Sequence, residues 1–489
     1  MKFSIPFEVV NITKTLEDKG FEAFLVGGCV RDMVLNREPK DWDITTNATP
    51  EQIISIFPNT FYENSFGTVG VKNEEVVDPR LKVIEVTPYR LEGAYSDNRH
   101  PDSVVFSQKI EDDLKRRDFT INSLAYSVSK DELIDLYSGS KDLKDKVVRT
   151  VGEPLARFSE DALRLVRAIR FSCELDFTID PNTEKGILEL SELITNISKE
   201  RIRDEFVKII MSKNPMYGIQ NMNKLGILRY VVPELLETIG VEQGGTHSYD
   251  VWEHLLRSLQ HSADKNYPLE IRLAALFHDI SKPATRRGGG KNKQWTFFGH
   301  EVVGARVTKK ILLDLKFSNS VIDKVVKLVR WHMFFSDTEQ ITLSAVRRMI
   351  VNVGGATEIW NLMNLRICDR IGTGRPKEDP YRLRKYHSMI EEALRDPISV
   401  QMLKINGKKL MEITGITPGP KIGNTLNALL EEVLDDPNKN TEEYLQNRAK
   451  ELISLSEEDL KKLGEKGKQS REEAEEGELK KIRSSHRVK

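Results

Sequence analysis

Cysteine is scarce in this 489-residue sequence, charge of one sign is missing and no long apolar run occurs. Each shortage removes a class of protein. The three cysteines, Cys29, Cys173 and Cys368, stand far apart without metal-type spacing and cannot all pair. A disulfide scaffold is thereby excluded, and each is expected as a small buried apolar residue in a reducing compartment. No apolar stretch approaches the roughly 18 residues of a membrane-spanning helix. The opening "MKFSIPFEVVNITKTLEDKG" carries acidic residues and no signal-type segment, so the expected location is the cytoplasm. With 74 Lys and Arg against 75 Asp and Glu there is no global positive field, so any nucleic-acid partner must be gripped by local basic patches.

What is present is enough for several domains: 39% hydrophobic residues over this length can bury about two to four cores. Residues 8–19 have helical amphipathic spacing, and "FEAFLVGG" reads as a buried strand entering a tight turn. "VIEVTPYRL" and "DSVVFS" are strand-like; "TPEQIISIF" and "INSLAYSV" are read as helical. From about residue 153, apolar residues recur at three and four, as in "EDALRLVRAIRFSCEL", "ERIRDEFVKIIM" and "EIRLAALFHDI", so the remainder is mostly helical. The segment "GITPGPKIG" has the Gly and Pro spacing of a helix-connecting turn. After about residue 455 the chain alternates Lys, Glu and Arg, the composition of a solvated helix or of disorder.

The stretch "VGGCVRDMVLNREPKDWDITT" joins a glycine turn to two aspartates one residue apart. If "DWDI" is a strand, Asp41 and Asp43 project from one face and offer hard oxygen ligands for Mg2+. Gly27 and Gly28 would let the backbone approach phosphate oxygens, with Arg31 behind to neutralise them. Such aspartate pairs also occur in solvated turns, but this one heads an ordered series of motifs. "RRDFTIN" at 116–122, "DLYSGSKDL" at 135–143, "EDALR" at 160–164 and "ERIRDEF" from residue 200 succeed it. The series resembles the class II tRNA nucleotidyltransferases, the CCA-adding enzymes, and their bacterial poly(A) polymerase relatives, over roughly residues 20 to 235 and more faintly 400 to 450.

That resemblance implies an α+β chain: a small mixed-sheet head carrying Asp41 and Asp43, then a mostly helical neck, body and tail. Glu85 in "VIEVTPYR" is the candidate third carboxylate. In "EDALR", Asp161 and Arg164 stand three apart on a helix and present an acceptor beside a donor. Cytosine and adenine offer an exocyclic amine next to an unprotonated ring nitrogen, whereas uracil and guanine would oppose like with like. One pair could thus accept CTP and ATP and refuse UTP and GTP without a nucleic-acid template. The family assigns this role to the matching positions, with Glu160 orienting Arg164. Arg117, Asp118 and Asn122 are read as ribose or phosphate contacts, and Arg167 is counted with them. The polar segment 90–104 looks like the loop these enzymes use in switching from CTP to ATP. The "GPKIG" turn and helical Lys and Arg resemble the region that meets tRNA, with no single residue assigned.

The helical half holds a second constellation. His254, the adjacent His278 and Asp279, and Asp369 follow the order of the HD phosphohydrolase superfamily, and His300 and His332 stand where bimetallic members carry further ligands. Imidazole and carboxylate together suit a divalent transition metal, whose identity the sequence leaves open. Such a site would support phosphoester hydrolysis, with Lys282 or the "RRGGGK" loop holding a phosphate; His247 and His261 are expected at the surface. The expected division is 1–150 head, 151–238 neck and body, 239–375 HD domain, 376–455 tail and 456–489 charged extension. The expected activity is addition of CCA, or its terminal A, to tRNA, with a metal-dependent phosphohydrolase beside it. A poly(A) polymerase, or a hydrolase with a non-catalytic RNA-binding head, are the competing readings, and oligomeric state stays open.

Overall fold

The structure, a computed structural model, describes residues 3–62, 67–93, 104–244, 247–288, 295–335 and 341–464. It divides into two compact units, Met1–Leu236 and Glu237–Lys489.

The first unit is built on strands β1 (Ala23–Val26), β2 (Asp43–Thr46), β3 (Thr60–Tyr62), β4 (Val69–Lys72), β5 (Val83–Pro88), β6 (Arg90–Glu92), β7 (Val104–Phe106), β8 (Leu124–Ser127) and β9 (Glu132–Asp135). Seven of them form one sheet of order β3-β4-β5-β2-β1-β8-β9, in which β2 and β5 run parallel and the other neighbours antiparallel. β6 and β7 pair as a separate ribbon. Central β1 is buried along its whole length, which is why "AFLV" carries no polar alternation. The helix Phe7–Asp18 lays Val9, Ile12 and Leu16 inward and packs on β1. Thr49 and Gln52 close a capping box on the helix Pro50–Ile56, so "TPEQIISIF" is helical as expected.

Two local expectations are corrected. "INSLAYSV" is no helix: a 3-10 turn at Thr120–Asn122 leads into β8, buried on both faces between β1 and β9. A short continuous apolar run suits either a buried strand or a buried helix, and partners on both edges decide for the strand. "DWDI" is strand only from Asp43 onwards; Asp41 lies just before it.

After the sheet the chain is helical, with Pro154–Glu160, Leu163–Leu175, Pro181–Leu190, Lys199–Met211 and Pro215–Lys224 in succession. Leu163–Leu175 packs along Lys199–Met211 and buries Leu165, Val166, Ile169 and Cys173. In the second unit, the apolar helix Leu269–Phe277 is central and packs against Val251–Asp264, Asn319–Trp331 and Ala356–Gly372. A separate apolar cluster, with Leu410, Leu429, Val433, Leu445 and Ala449, holds the last helices together. There Gly415, at φ 70°, ends the helix Gly407–Thr414, and Pro420 opens the next, so "GITPGPKIG" connects helices as read. The expectation of a purely solvated extension is corrected at its start, because Glu457–Gly464 is a helix whose Leu460 is fully buried in that cluster. Residues 465–489 lie outside the described residues. All three cysteines are free and buried, as expected. Among the described residues no helix is long and apolar enough to cross a membrane.

Candidate functional site

In the first unit Asp41 is exposed, Trp42 is buried and Asp43 opens β2. The parallel β2/β5 register sets Asp43 beside exposed Glu85. Burial first, then the charges of Asp41 and Glu85, push the Asp43 carboxyl up to about 7, with Arg117 opposing them. A carboxylate so short of positive charge is what a divalent cation would relieve. The trio is looser than a dedicated cage. Among the described residues, groups of three or more ligand atoms all within 4.8 Å of one another occur only in the second unit. Such looseness is compatible with Mg2+, which usually keeps waters and substrate phosphates in its shell.

The glycine turn has a steric reason. Gly27 takes φ +77°, and a Cβ there would stand 2.9 Å from Arg117 Nη1. Beyond it Gly28 begins the helix Gly28–Val34, which carries Arg31. Arg31 donates to Asn122 Oδ1 at 2.8 Å, Asn122 Nδ2 donates to Asp118 Oδ1 at 3.2 Å, and Arg167 donates twice to Asp118 Oδ2 at 2.8 and 2.6 Å. Burial works against the Asp118 charge, but Arg167 and Arg164 outweigh it and hold the carboxyl well below its usual range. Arg117 is anchored by buried Asp113 at 3.0 Å. Residues far apart in sequence thus form one hydrogen-bonded line from the glycine turn to the neck.

"EDALR" is corrected in detail. Asp161 and Arg164 do not share a helix: Pro154–Glu160 ends, Asp161 is extended at φ −136°, and Leu163–Leu175 begins. Asp161 accepts from the Leu163 amide at 3.1 Å and from Arg201 at 3.0 Å. Arg164 is held by Glu160 at 2.6 Å and by the carbonyls of Arg157 and Arg116, both at 3.0 Å, which fits the orienting role read for Glu160. Of the segment 90–104, residues 94–103 lie outside the described residues.

In the second unit helix ends converge. His254 lies in the first turn of Val251–Asp264, His278 and Asp279 follow Leu269–Phe277, and His300 begins His300–Asp314. His332 follows Asn319–Trp331, and Asp369 is in the last turn of Ala356–Gly372. His254, His278, Asp279 and Asp369 form one ligand group; Asp279, His300 and His332 form another, so Asp279 belongs to both. Its Oδ2 stands 3.0 Å from His254 Nε2 and 3.3 Å from His278 Nε2, while its Oδ1 stands 3.1 and 3.5 Å from the Nε2 atoms of His300 and His332.

The tautomers follow from the backbone. Nδ1 of His278, His300 and His332 lies 3.0, 2.6 and 2.7 Å from the carbonyls of Ala275, Phe297 and Val329. Each Nδ1–H donates there, leaving Nε2 lone pairs aimed inward. His254 and His278 then bring Nε2 atoms within 2.9 Å, and His300 and His332 within 3.3 Å. The opposed lone pairs of His300 and His332 need a cation or a proton between them, whereas His254, whose Nδ1 has no hydrogen-bond partner, is not held to one tautomer in this way. Burial alone would push His278 down, yet Asp279 and Asp369 outweigh it and raise its pKa to about 9. The donor set therefore fits metal ions, and the mixed nitrogen and oxygen ligands suit a transition metal.

Several participants were not assigned from the sequence. Gln243 accepts from Lys282 Nζ at 2.6 Å, and Lys282 also bonds Asp279 at 2.6 Å. Arg366 pairs with Asp369, three residues along the same helix. Arg201 stands in the quoted "ERIRDEF", but nothing local ties it to Asp161. His247 and His261 are corrected from the surface: His261 is buried, and half-buried His247 packs edge-on against His254 with ring centres 5.5 Å apart. Lys282 is buried beside Asp279, and residues 289–294 of the "RRGGGK" loop lie outside the described residues.

Three known families match parts of the chain. The poly(A) polymerase head domain matches residues 23–149, the probable RNA- and SrmB-binding site of polymerase A matches 176–238, and the HD domain matches 244–357. A CCA-adding enzyme of Lactobacillus helveticus is 30% identical over 449 residues, 91% of this chain and 97% of its own length. One from Enterococcus faecalis is 32% identical over 453 residues, 92% of this chain and 97% of its own. The crystal structure of the Bacillus stearothermophilus CCA-adding enzyme in complex with CTP superposes with a TM-score of 0.65 at 26% identity, covering 91% of this chain and 96% of that one.

Proposed function

This chain belongs to the CCA-adding enzyme family, and on that premise we propose that it adds CCA, or its terminal A, to the 3′ end of tRNA from CTP and ATP without a nucleic-acid template. The observation that carries the reading is Asp43, its carboxyl pushed up by burial and by Asp41 and Glu85, in the same unit as the hydrogen-bonded line from Arg31 through Asn122 and Asp118 to Arg167. Asp41 and Asp43, with Glu85 alongside, would hold Mg2+, which when bound screens the triphosphate and activates the attacking 3′ hydroxyl. Gly27 and Gly28 leave room for phosphate oxygens, and Arg31 and Arg117 supply charge to them. Asn122, fixed between Arg31 and Asp118, is read as a ribose contact, and Asp118 holds Arg167 in position.

Asp161 and Arg164 read the base as acceptor and donor. Both are set by neighbours, Asp161 by Arg201 and Arg164 by Glu160. Fixed groups of this kind penalise UTP and GTP, because each would leave buried polar atoms unpaired. In the second unit, His254, His278, Asp279 and Asp369 would hold one divalent metal, and Asp279, His300 and His332 a second, for phosphoester hydrolysis. We read residues 1–150 as head, 151–238 as neck and body, 239–375 as HD domain and 376–455 as tRNA-contacting tail, and place the enzyme in the cytoplasm with its substrate.

The test is nucleotide incorporation on tRNA ending at the discriminator base, at C and at CC. Addition should stop after CCA and be lost, by about a thousandfold or more, in an Asp41→Ala, Asp43→Ala double variant. A run of many A residues would favour a poly(A) polymerase, and undiminished incorporation by the double variant would remove Asp41 and Asp43 from catalysis.

A further inference from the structure

Asp113 is a charged side chain with no access to solvent. Burial works against the charge, but Arg116 and Arg117 outweigh it and hold the carboxyl below its usual range. The cost of taking such a pair out of water can exceed the attraction within it, so stability alone gives no reason for one here. The reason lies in what the two arginines carry.

The residue sits in the short helix Ile110–Lys115. Ile110 and Leu114 of that helix join an apolar cluster with Phe24 and Val26 of β1 and Ala125 of β8, and Ser123 Oγ donates to the Leu114 carbonyl at 2.7 Å. The carboxylate therefore stands on a fixed base. Its Oδ1 accepts from Arg116 Nε and Nη2 at 2.9 and 2.6 Å, and its Oδ2 from Arg117 Nη2 at 3.0 Å. One carboxylate thus grips the side chains on both sides of the Arg116–Arg117 peptide bond. The carbonyl of that peptide accepts from Arg164 Nη2 at 3.0 Å and from Arg157 Nη1 at 3.3 Å. Arg117 Nη1 lies against the glycine turn, 2.9 Å from the place of a Cβ on Gly27, and Arg117 Nε is buried without a hydrogen-bond partner. Asp113 is therefore the anchor of Arg117 and fixes one acceptor of Arg164.

We propose that Asp113 is a positioning residue of nucleotide selection: by clamping the Arg116–Arg117 peptide it aims Arg164 at the base and Arg117 at the triphosphate. This rests on the transferase reading of the first unit. Asp113 acts through the two arginines. An Arg164 that can swing turns its donors away from the protonated ring nitrogen of uracil and toward the neighbouring carbonyl, so the refusal of UTP weakens.

The experiment measures single-nucleotide incorporation of CTP and of UTP by the full chain on tRNA ending at the discriminator base. Wild type should favour CTP in kcat/KM. Asp113→Asn sets an amide N–H against a guanidinium N–H, and the preference should fall by about tenfold; the loss is partial because Glu160 and the Arg157 carbonyl still hold Arg164. KM for CTP should rise by about fivefold as Arg117 loses its anchor, with kcat changed less. Arg116→Met leaves Asp113 with Arg117, so it should lower the preference while KM for CTP stays near wild type. A fold weakened in general would lower the melting temperature and kcat and leave both the preference and KM where they were, and that result overturns the proposal. If Asp113→Asn does not fold, the preference of Arg116→Met decides. A wild type that incorporates neither nucleotide removes the transferase reading; calorimetric binding of CTP and UTP to the same proteins then decides for Asp113, and an equal binding ratio in all of them overturns its role.

Discussion

At the scale of single residues, Asp118 shows how a charge can be both buried and stable. It is 8% exposed, and it keeps its proton off because Arg167 grips one oxygen twice while Asn122 and the Phe119 amide take the other. Its folded pKa is depressed, so the stability it contributes is fully present above the unfolded value of about 3.9 and is lost as pH falls through that value toward the folded one. The urea midpoint of the wild type should therefore drop between pH 5 and pH 3. Asp118→Asn should lower stability at pH 7 by about 2 kcal/mol, the scale of a hydrogen-bonded charge contact with a partly exposed partner, and should make the acid-induced drop shallower. Equal slopes would show that the pairing contributes nothing to acid sensitivity. Asp118 and Arg167 were both legible as candidate site residues, yet their pairing was not: Arg167 comes 49 residues after Asp118. The same distance problem hid Arg201, 40 residues from Asp161, and Gln243, 39 residues from Lys282.

At the scale of elements, periodicity located the helices and adjacency pointed to the histidine and aspartate cluster, because His278 and Asp279 are neighbours in sequence as well as in space. It failed where edges decide. "INSLAYSV" is apolar enough for helix or strand, and only β1 and β9 on either side make it β8. "EDALR" reads as one helix, but Asp161 is extended between two, bonded to Arg201. The second of those helices, Leu163–Leu175, carries an arrangement that spacing alone did not disclose. The ring of Phe171 has the guanidiniums of Arg31, Arg167 and Arg170 at 5.4, 5.4 and 4.0 Å from its centre, and Phe119 meets it edge-on. Two of those arginines end the line through Asn122 and Asp118, so the ring sets both. Phe171→Leu keeps the apolar volume and removes the π face, and each cation–π contact contributes about 0.5–2 kcal/mol. KM for ATP and CTP should rise by about fivefold or more, while Phe171→Tyr, which retains the face, should stay near wild type. A leucine variant with unchanged KM would reduce Phe171 to packing.

At the scale of the whole molecule, the two units offer candidate metal ligands of different chemistry, and each unit has a core of its own. The head offers oxygen only, from Asp41, Asp43 and Glu85, whereas the HD cluster offers four imidazoles, His254, His278, His300 and His332, with Asp279 and Asp369. Hard oxygen ligands suit Mg2+, and imidazole favours transition metals. Stripping the enzyme with a chelator should abolish both CCA incorporation and hydrolysis of bis-p-nitrophenyl phosphate. Returning Mg2+ alone should restore incorporation and leave hydrolysis low; adding Mn2+ should restore hydrolysis as well. The candidate HD ligands are buried with their Nε2 atoms close together, so filling them should also raise the melting temperature of the second unit, since a ligand that binds only the folded state stabilises it by mass action. His278→Ala should lose that thermal response to Mn2+ while incorporation continues, because its side chain serves only the second unit. If Mg2+ restores both activities equally, the division of the two sites by donor chemistry is wrong. If Mn2+ raises no melting transition, the inward lone pairs are bridged by protons and not by metal.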